Sequence, residues 1–151
     1  MPRILCITAL KRPGYPLHQH GDRAVATVAR EPFHFLENTM TTEIITLGGC
    51  SFWCTEEGIV NVRGITDVES GYSNGQVLNP SYEQVCTGTT GHNEVVQLKF
   101  DPEEISLEDI LQIFFVIHDP TTLNRQGNDA GTQYRSGIYT STPGQAEVAQ
   151  D

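Results

Sequence analysis

The chain has 151 residues, 38% of them apolar, and a formal charge of −10. That length supports one domain with a real core and is short for two; the apolar share argues against disorder, and no apolar run is long enough to span a membrane. Residues 1–39 hold five of the nine Lys and Arg, which leaves positions 40–151 with four bases against sixteen acids, a surface that repels nucleic acid.

Residues 1–39 keep no sustained period of either kind and contain several prolines, so they read as a poorly ordered N-terminal extension. Met40 stands directly before the first regular pattern, and 40–151 is the expected folded domain. Cysteines at 6, 50, 54 and 86, without a convincing signal peptide, suit a reducing, cytoplasmic protein.

The run "TEIITL" (42–47) is rich in β-branched residues and ends at Gly48-Gly49, which predicts a strand. A helix is expected over "FWCTEEGIVNV" (52–62), closed by Gly64. A strand at 65–72 follows, then an Asn74-Gly75 turn and a short helix begun by Pro80 and Ser81. "EVVQLKF" (94–100) is the next strand. "SLEDILQIFFVIH" (106–118) opens with Ser106 as N-cap and carries apolar residues at 107, 110, 111, 114 and 117, the spacing of a helix packed on one side. A loop over 119–137, a strand at 137–142 and the start of a helix complete the chain. The order β-α-β-β-α-β predicts an α+β domain of the ferredoxin-like, split βαβ kind, a mostly antiparallel sheet with helices on one face.

The passage from strand through two glycines into helix places residues 50 and 51 where unpaired N–H groups favour negative charge, so a thiol there ionises readily. Two bland readings stay open beside this one: Ser51 is a good N-cap by type, and a buried cysteine usually behaves as a small inert hydrophobe. Cys50 and Cys54 lack a second Cys/His pair at zinc-site distance, so no metal is expected. In "NEVVQLKF" the alternation sets Glu94 on the face of Val96, Leu98 and Phe100, with Asn93, Gln97 and Lys99 facing away. A carboxylate at the edge of an apolar face loses water, which favours its neutral form and makes it a proton donor; an exposed strand end is the alternative. The 119–137 loop is dense in polar side chains, among them Asn124, Arg125, Asp129, Gln133, Tyr134 and Arg135, more than a connector needs. His92 and His118 read as structural.

The blocks "GGCSFWCTE", "GYSNGQVLNPSYEQVCTGTTGHNEVVQLKFDP", "FFVIHDPT" and "NRQGNDAGTQYRSGIY", in this order, resemble peptide methionine sulfoxide reductase of the A type from about residue 42 onward. The resemblance implies reduction of the S epimer of methionine sulfoxide, free or in oxidised proteins, without cofactor or metal, by a protein that is monomeric. In the family a cysteine before Phe-Trp attacks sulfur and becomes a sulfenic acid, a second thiol condenses with it, and thioredoxin reduces the disulfide. By motif, Phe52 and Trp53 match the aromatic pocket for the substrate methyl group, Glu94 the acid, Tyr82 and Tyr134 its hydrogen-bonding partners, and Asp129 the carboxylate that shapes the pocket.

The sequence departs from the family pattern at the attack position. Fitted from Leu47 and Phe52 without a gap, Ser51 falls on the nucleophile; fitted from the glycines, Cys50 is the nucleophile and Ser51 an insertion. Serine cannot replace the thiol, because its hydroxyl stays protonated at neutral pH and oxygen transfer to it would form a weak O–O bond. Cys50 therefore predicts a reductase, and Ser51 in that place a module that binds sulfoxide without turnover. Family members continue past residue 151 with an aromatic, acidic segment and often a C-terminal resolving cysteine, both missing here, so a C-terminally truncated domain is expected, with Cys54 and Cys86 as candidate resolving thiols. Cys6 is expected to take no part.

Overall fold

A computed structural model describes residues 41–49 and 51–151, with the backbone alone of Phe52. The extension expected at 1–39, Met40 as a start, Cys6 and Cys50 lie outside the described residues.

Four strands form the main sheet: β1 (Glu43–Gly48), β2 (Ile65–Ser73), β3 (Asn93–Phe100) and β6 (Gly137–Thr140). Their order is β2-β3-β1-β6, and every neighbouring pair is antiparallel. Between β1 and β2 runs α1 (Phe52–Ile59), between β2 and β3 the short α2 (Tyr82–Cys86), and after β3 comes α3 (Leu107–Ile117). A final helix, α4 (Pro143–Val148), follows β6. This is the α+β arrangement the sequence predicts, with its antiparallel sheet.

Register explains the core. Ile45 pairs with Leu98 and Leu47 with Val96, so side chains from the two central strands share one face. Ile59 of α1 and Ile110, Leu111 and Phe114 of α3 join them, and each of these residues is buried. Alternation continues that face to Ser70 opposite Val96 and to Tyr72 opposite Glu94.

Local chemistry sets the ends. Ser106 caps α3 by accepting from the Asp109 N–H at 3.1 Å. Ser81 and Gln84 form a reciprocal capping box on α2, with the Gln84 carboxamide oxygen 2.9 Å from the Ser81 N–H. Helix α1 ends at Ile59, three residues before the expected boundary, and Gly64 at φ +90° leads into β2 where any Cβ would strike Ile105.

The segment 119–137 is more ordered than the loop expected from its composition. It holds a two-stranded hairpin, β4 (Arg125–Gln126) with β5 (Asp129–Ala130), and a 3₁₀ turn over Thr132–Tyr134. Gly127 at φ +57° makes the tight turn between strands too short to leave a period in the sequence.

Candidate active site

The turn out of β1 is shaped by two glycines for two steric reasons. A Cβ on Gly48 would collide with the Asn93 carboxamide and lie 3.2 Å from the Glu94 carbonyl oxygen. One on Gly49 would meet His118 Cδ2 at 2.7 Å and Phe114 Cζ at 2.9 Å. His118 is held there by its Nδ1, 2.7 Å from the Phe114 carbonyl, and by stacking on the Phe114 ring at 3.9 Å. The chain thus leaves the sheet alongside the first residues of β3 and enters α1.

Ser51 occupies the N-cap position of α1, with its carbonyl accepting from the Cys54 N–H at 3.0 Å. Its hydroxyl makes no capping hydrogen bond, contrary to what its residue type suggests, and is not engaged by the helix. Trp53 is 41% exposed in the first turn, and Cys54 beside it is exposed.

Glu94 is 3% exposed at the start of β3, which decides for the desolvated carboxyl over the exposed strand end. Three phenols lie within its electrostatic reach, and the Cys86 thiol acts on the same three. Burial raises Tyr134, and the charges of Glu94, Asp129 and Cys86 add to that. Tyr82 is raised first by its side-chain hydrogen bond with Cys86, one helical turn along α2, then by the Cys86 charge, desolvation, Tyr134 and Glu94. Tyr72 is pushed well above the usual phenol range by burial first and then by Glu94, Cys86, Tyr82 and Tyr134. Phenols held this way remain O–H donors throughout the neutral range.

The loop that leads into β3 and the 3₁₀ turn are tied together by Arg135, whose guanidinium donates to the Gly91 carbonyl at 3.1 Å and to the Thr132 carbonyl at 2.8 Å. That link carries Tyr134 to the Glu94 end of the sheet. His92 fixes the other wall: its Nε2 lies 2.7 Å from the Val77 carbonyl, and its ring meets Tyr72 edge-on at 6.5 Å.

Of the residues singled out from sequence, Glu94, Tyr82, Tyr134, Cys86 and, through Tyr134, Asp129 are gathered in one region. Tyr82 forms its outer edge, 52% exposed. Two residues of this region carried no expectation of a site: Tyr72, and Asn93, which faces away from Glu94 as predicted yet is buried and donates to the Tyr139 hydroxyl at 2.8 Å. The signal for Tyr72 was its register opposite Glu94, which needs the pairing of β2 with β3. Among the described residues no group of three or more His, Cys, Asp or Glu could hold a metal ion, and no helix is long and apolar enough to cross a membrane.

Comparison with known proteins gives this arrangement a lineage. Residues 43–151 match the family "Peptide methionine sulfoxide reductase". A relative, peptide methionine sulfoxide reductase MsrA of Polynucleobacter asymbioticus, is 56% identical over 115 residues, covering 76% of this chain and 60% of its own length. The solved structure of methionine sulfoxide reductase A of Corynebacterium diphtheriae superposes with a TM-score of 0.68 at 38% identity, over 72% of this chain and 51% of that one. A structure of Mxr1 from Saccharomyces cerevisiae in complex with Trx2 matches at 28% identity and a TM-score of 0.50, over 72% and 64% of the two chains. The chain thus spans about 60% of the length of the curated relatives it matches. With the family matched from β1 onward, and the site built on its strands, this chain belongs to the peptide methionine sulfoxide reductase family.

Proposed function

We propose that the chain reduces the S epimer of methionine sulfoxide, free or in oxidised proteins, with Cys50 as nucleophile and Glu94 as acid. The observation that carries this reading is a carboxyl group 3% exposed at the end of β3, in the electrostatic reach of three phenols and beside the turn that leads to the thiol. A carboxyl with so little water pays for its charge in desolvation, which favours the proton-bearing form. Tyr82 and Tyr134 supply neutral O–H donors to the sulfoxide oxygen, and Phe52 and Trp53 receive the methyl group.

The Cys50 thiolate attacks the sulfoxide sulfur while Glu94 gives its proton to the oxygen; the oxygen passes to the cysteine as a sulfenic acid and methionine leaves. A second thiol then attacks the sulfenic sulfur, releasing water and forming a disulfide. Both described cysteines are exposed, and Cys86 is the better candidate because it lies within the electrostatic reach of Tyr72, Tyr82 and Tyr134. The yeast relative's complex with Trx2 supports thioredoxin as the reductant that opens this disulfide. Such a cycle fits a reducing, cytoplasmic setting and a role in repairing oxidised proteins.

Incubation with dithiothreitol and the S epimer of N-acetylmethionine sulfoxide should yield the thioether, and Cys50→Ser should abolish it. Thioether formation by Ser51→Cys but not by the natural chain would move the attack position to residue 51. Absence of product from both would overturn the reading.

A further inference from the structure

The residue that faces Glu94 most directly is Tyr72, which belongs to no part of the chemistry above. It pairs with Glu94 in the β2–β3 register and is 1% exposed against 3% for the carboxyl. Directly opposed residues on one face of an antiparallel pair have Cβ atoms about 4.5–5.5 Å apart, close enough for a phenol to govern a carboxyl. The Tyr72 ring also meets His92, which grips the loop before α2 through the Val77 carbonyl. Tyr72 therefore touches the strand that carries the acid and the wall that carries Tyr82 and Cys86.

We propose that Tyr72 is a positioning residue for Glu94: its ring withholds water from one side of the carboxyl, and its hydroxyl dipole sets the local field around the group that meets the sulfoxide oxygen. The proposal rests on the reductase reading of the site. The groups that act on Glu94 are Tyr72 from β2, Tyr82 from α2 and Tyr134 from the 3₁₀ turn, with Cys86 and Asp129 acting on those phenols, while β1 presents the backbone at Gly48. Tyr72 is the one that reaches Glu94 from within the sheet. Removing its hydroxyl alone leaves the carboxyl just as dry and deprives its charged form of a dipole, so Glu94 should hold its proton to higher pH.

The test is Tyr72→Phe in the full chain, read two ways. Carbon-13 NMR of the glutamate carboxyls, with Glu94 assigned by its loss in Glu94→Gln, should show its midpoint moving upward by half a pH unit or more in ligand-free protein. Calorimetry with N-acetylmethionine sulfoxide should show binding about fivefold weaker at low pH but persisting to higher pH, a pairing that general loosening of the fold does not produce. An unmoved Glu94 midpoint overturns the proposal whether or not sulfoxide binds. A shifted midpoint in a chain whose natural form binds no sulfoxide overturns the reductase reading and leaves the Tyr72–Glu94 coupling standing. Should Tyr72→Phe not fold, the ζ-carbon resonance of Tyr72 in the natural chain must follow the Glu94 titration and lose that inflection in Glu94→Gln; a flat resonance overturns the coupling.

Discussion

Ser70 Oγ donates to Glu56 Oε2 at 2.6 Å, joining the middle of α1 to β2 two residues before Tyr72. The bond crosses from the helix that begins next to the proposed attack position to the strand that faces Glu94, so it holds the two halves of the candidate site at a fixed separation. Hydrogen bonds to charged groups contribute about 1.5–3 kcal/mol when they are partly sheltered. Ser70, only 7% exposed, is placed to realise part of that.

Ser70→Ala should therefore lower the unfolding free energy by about 1–2 kcal/mol, measured by urea denaturation. Affinity for N-acetylmethionine sulfoxide should fall as well, because α1 gains freedom relative to β2. An unchanged urea midpoint would show that the bond contributes nothing to the fold.

Gly49 sits against two buried rings, and its substitution tests the turn. An alanine Cβ would press on His118 and Phe114, and neither is the free end of a flexible chain. Overpacking of this kind costs about 1–3 kcal/mol. Gly49→Ala should lose that much stability in urea. It should also lose most sulfoxide reduction, since displacement by about an ångström of a reacting group can cost a hundredfold in rate. Wild-type stability in Gly49→Ala would mean that the turn yields without strain.

The resolving step separates the two described cysteines. After one equivalent of sulfoxide in the absence of reductant, the natural chain should carry a disulfide that includes Cys86, seen by peptide mass spectrometry. Cys86→Ser should accumulate sulfenic acid trapped by dimedone, and Cys54→Ser should behave as the natural chain. A disulfide through Cys54 in the natural chain would reverse the assignment.

How much of this was legible beforehand depends on the range of the interaction. Helix α3 could be read nearly residue by residue, because an N-cap serine and a 3.6-residue apolar period are local signals. The face that Glu94 shares with Val96 and Leu98 was legible through alternation along β3, but its burial was not, since an exposed strand end fitted the sequence equally well and residues 93–96 are all buried. Tyr72 was not, since its importance comes from register with a strand twenty residues away. Asn93 also escaped: the pattern gave its face correctly but could not reveal Tyr139 lying across it. The hairpin at 125–130 hid because two-residue strands are shorter than any period.

Alkaline solution offers a further reading of Tyr72. An unfolded phenol ionises near pH about 10, whereas the folded one keeps its proton to higher pH because it is buried and faces Glu94. Below that point both states are protonated and stability does not depend on this group. Above it the unfolded state loses its proton while the folded state retains it, so unfolding becomes easier as pH rises, by up to about 1.4 kcal/mol per pH unit for one such group. Tyr82 and Tyr134, raised in the same direction, add to the slope. Urea denaturation at successive pH values from 8 upward should give a flat line followed by a decline, and Tyr72→Phe should make the decline shallower. A decline of equal steepness in the variant would show that Tyr72 ionises in the folded protein as easily as in the unfolded chain, and that its place opposite Glu94 is not as dry as its burial indicates.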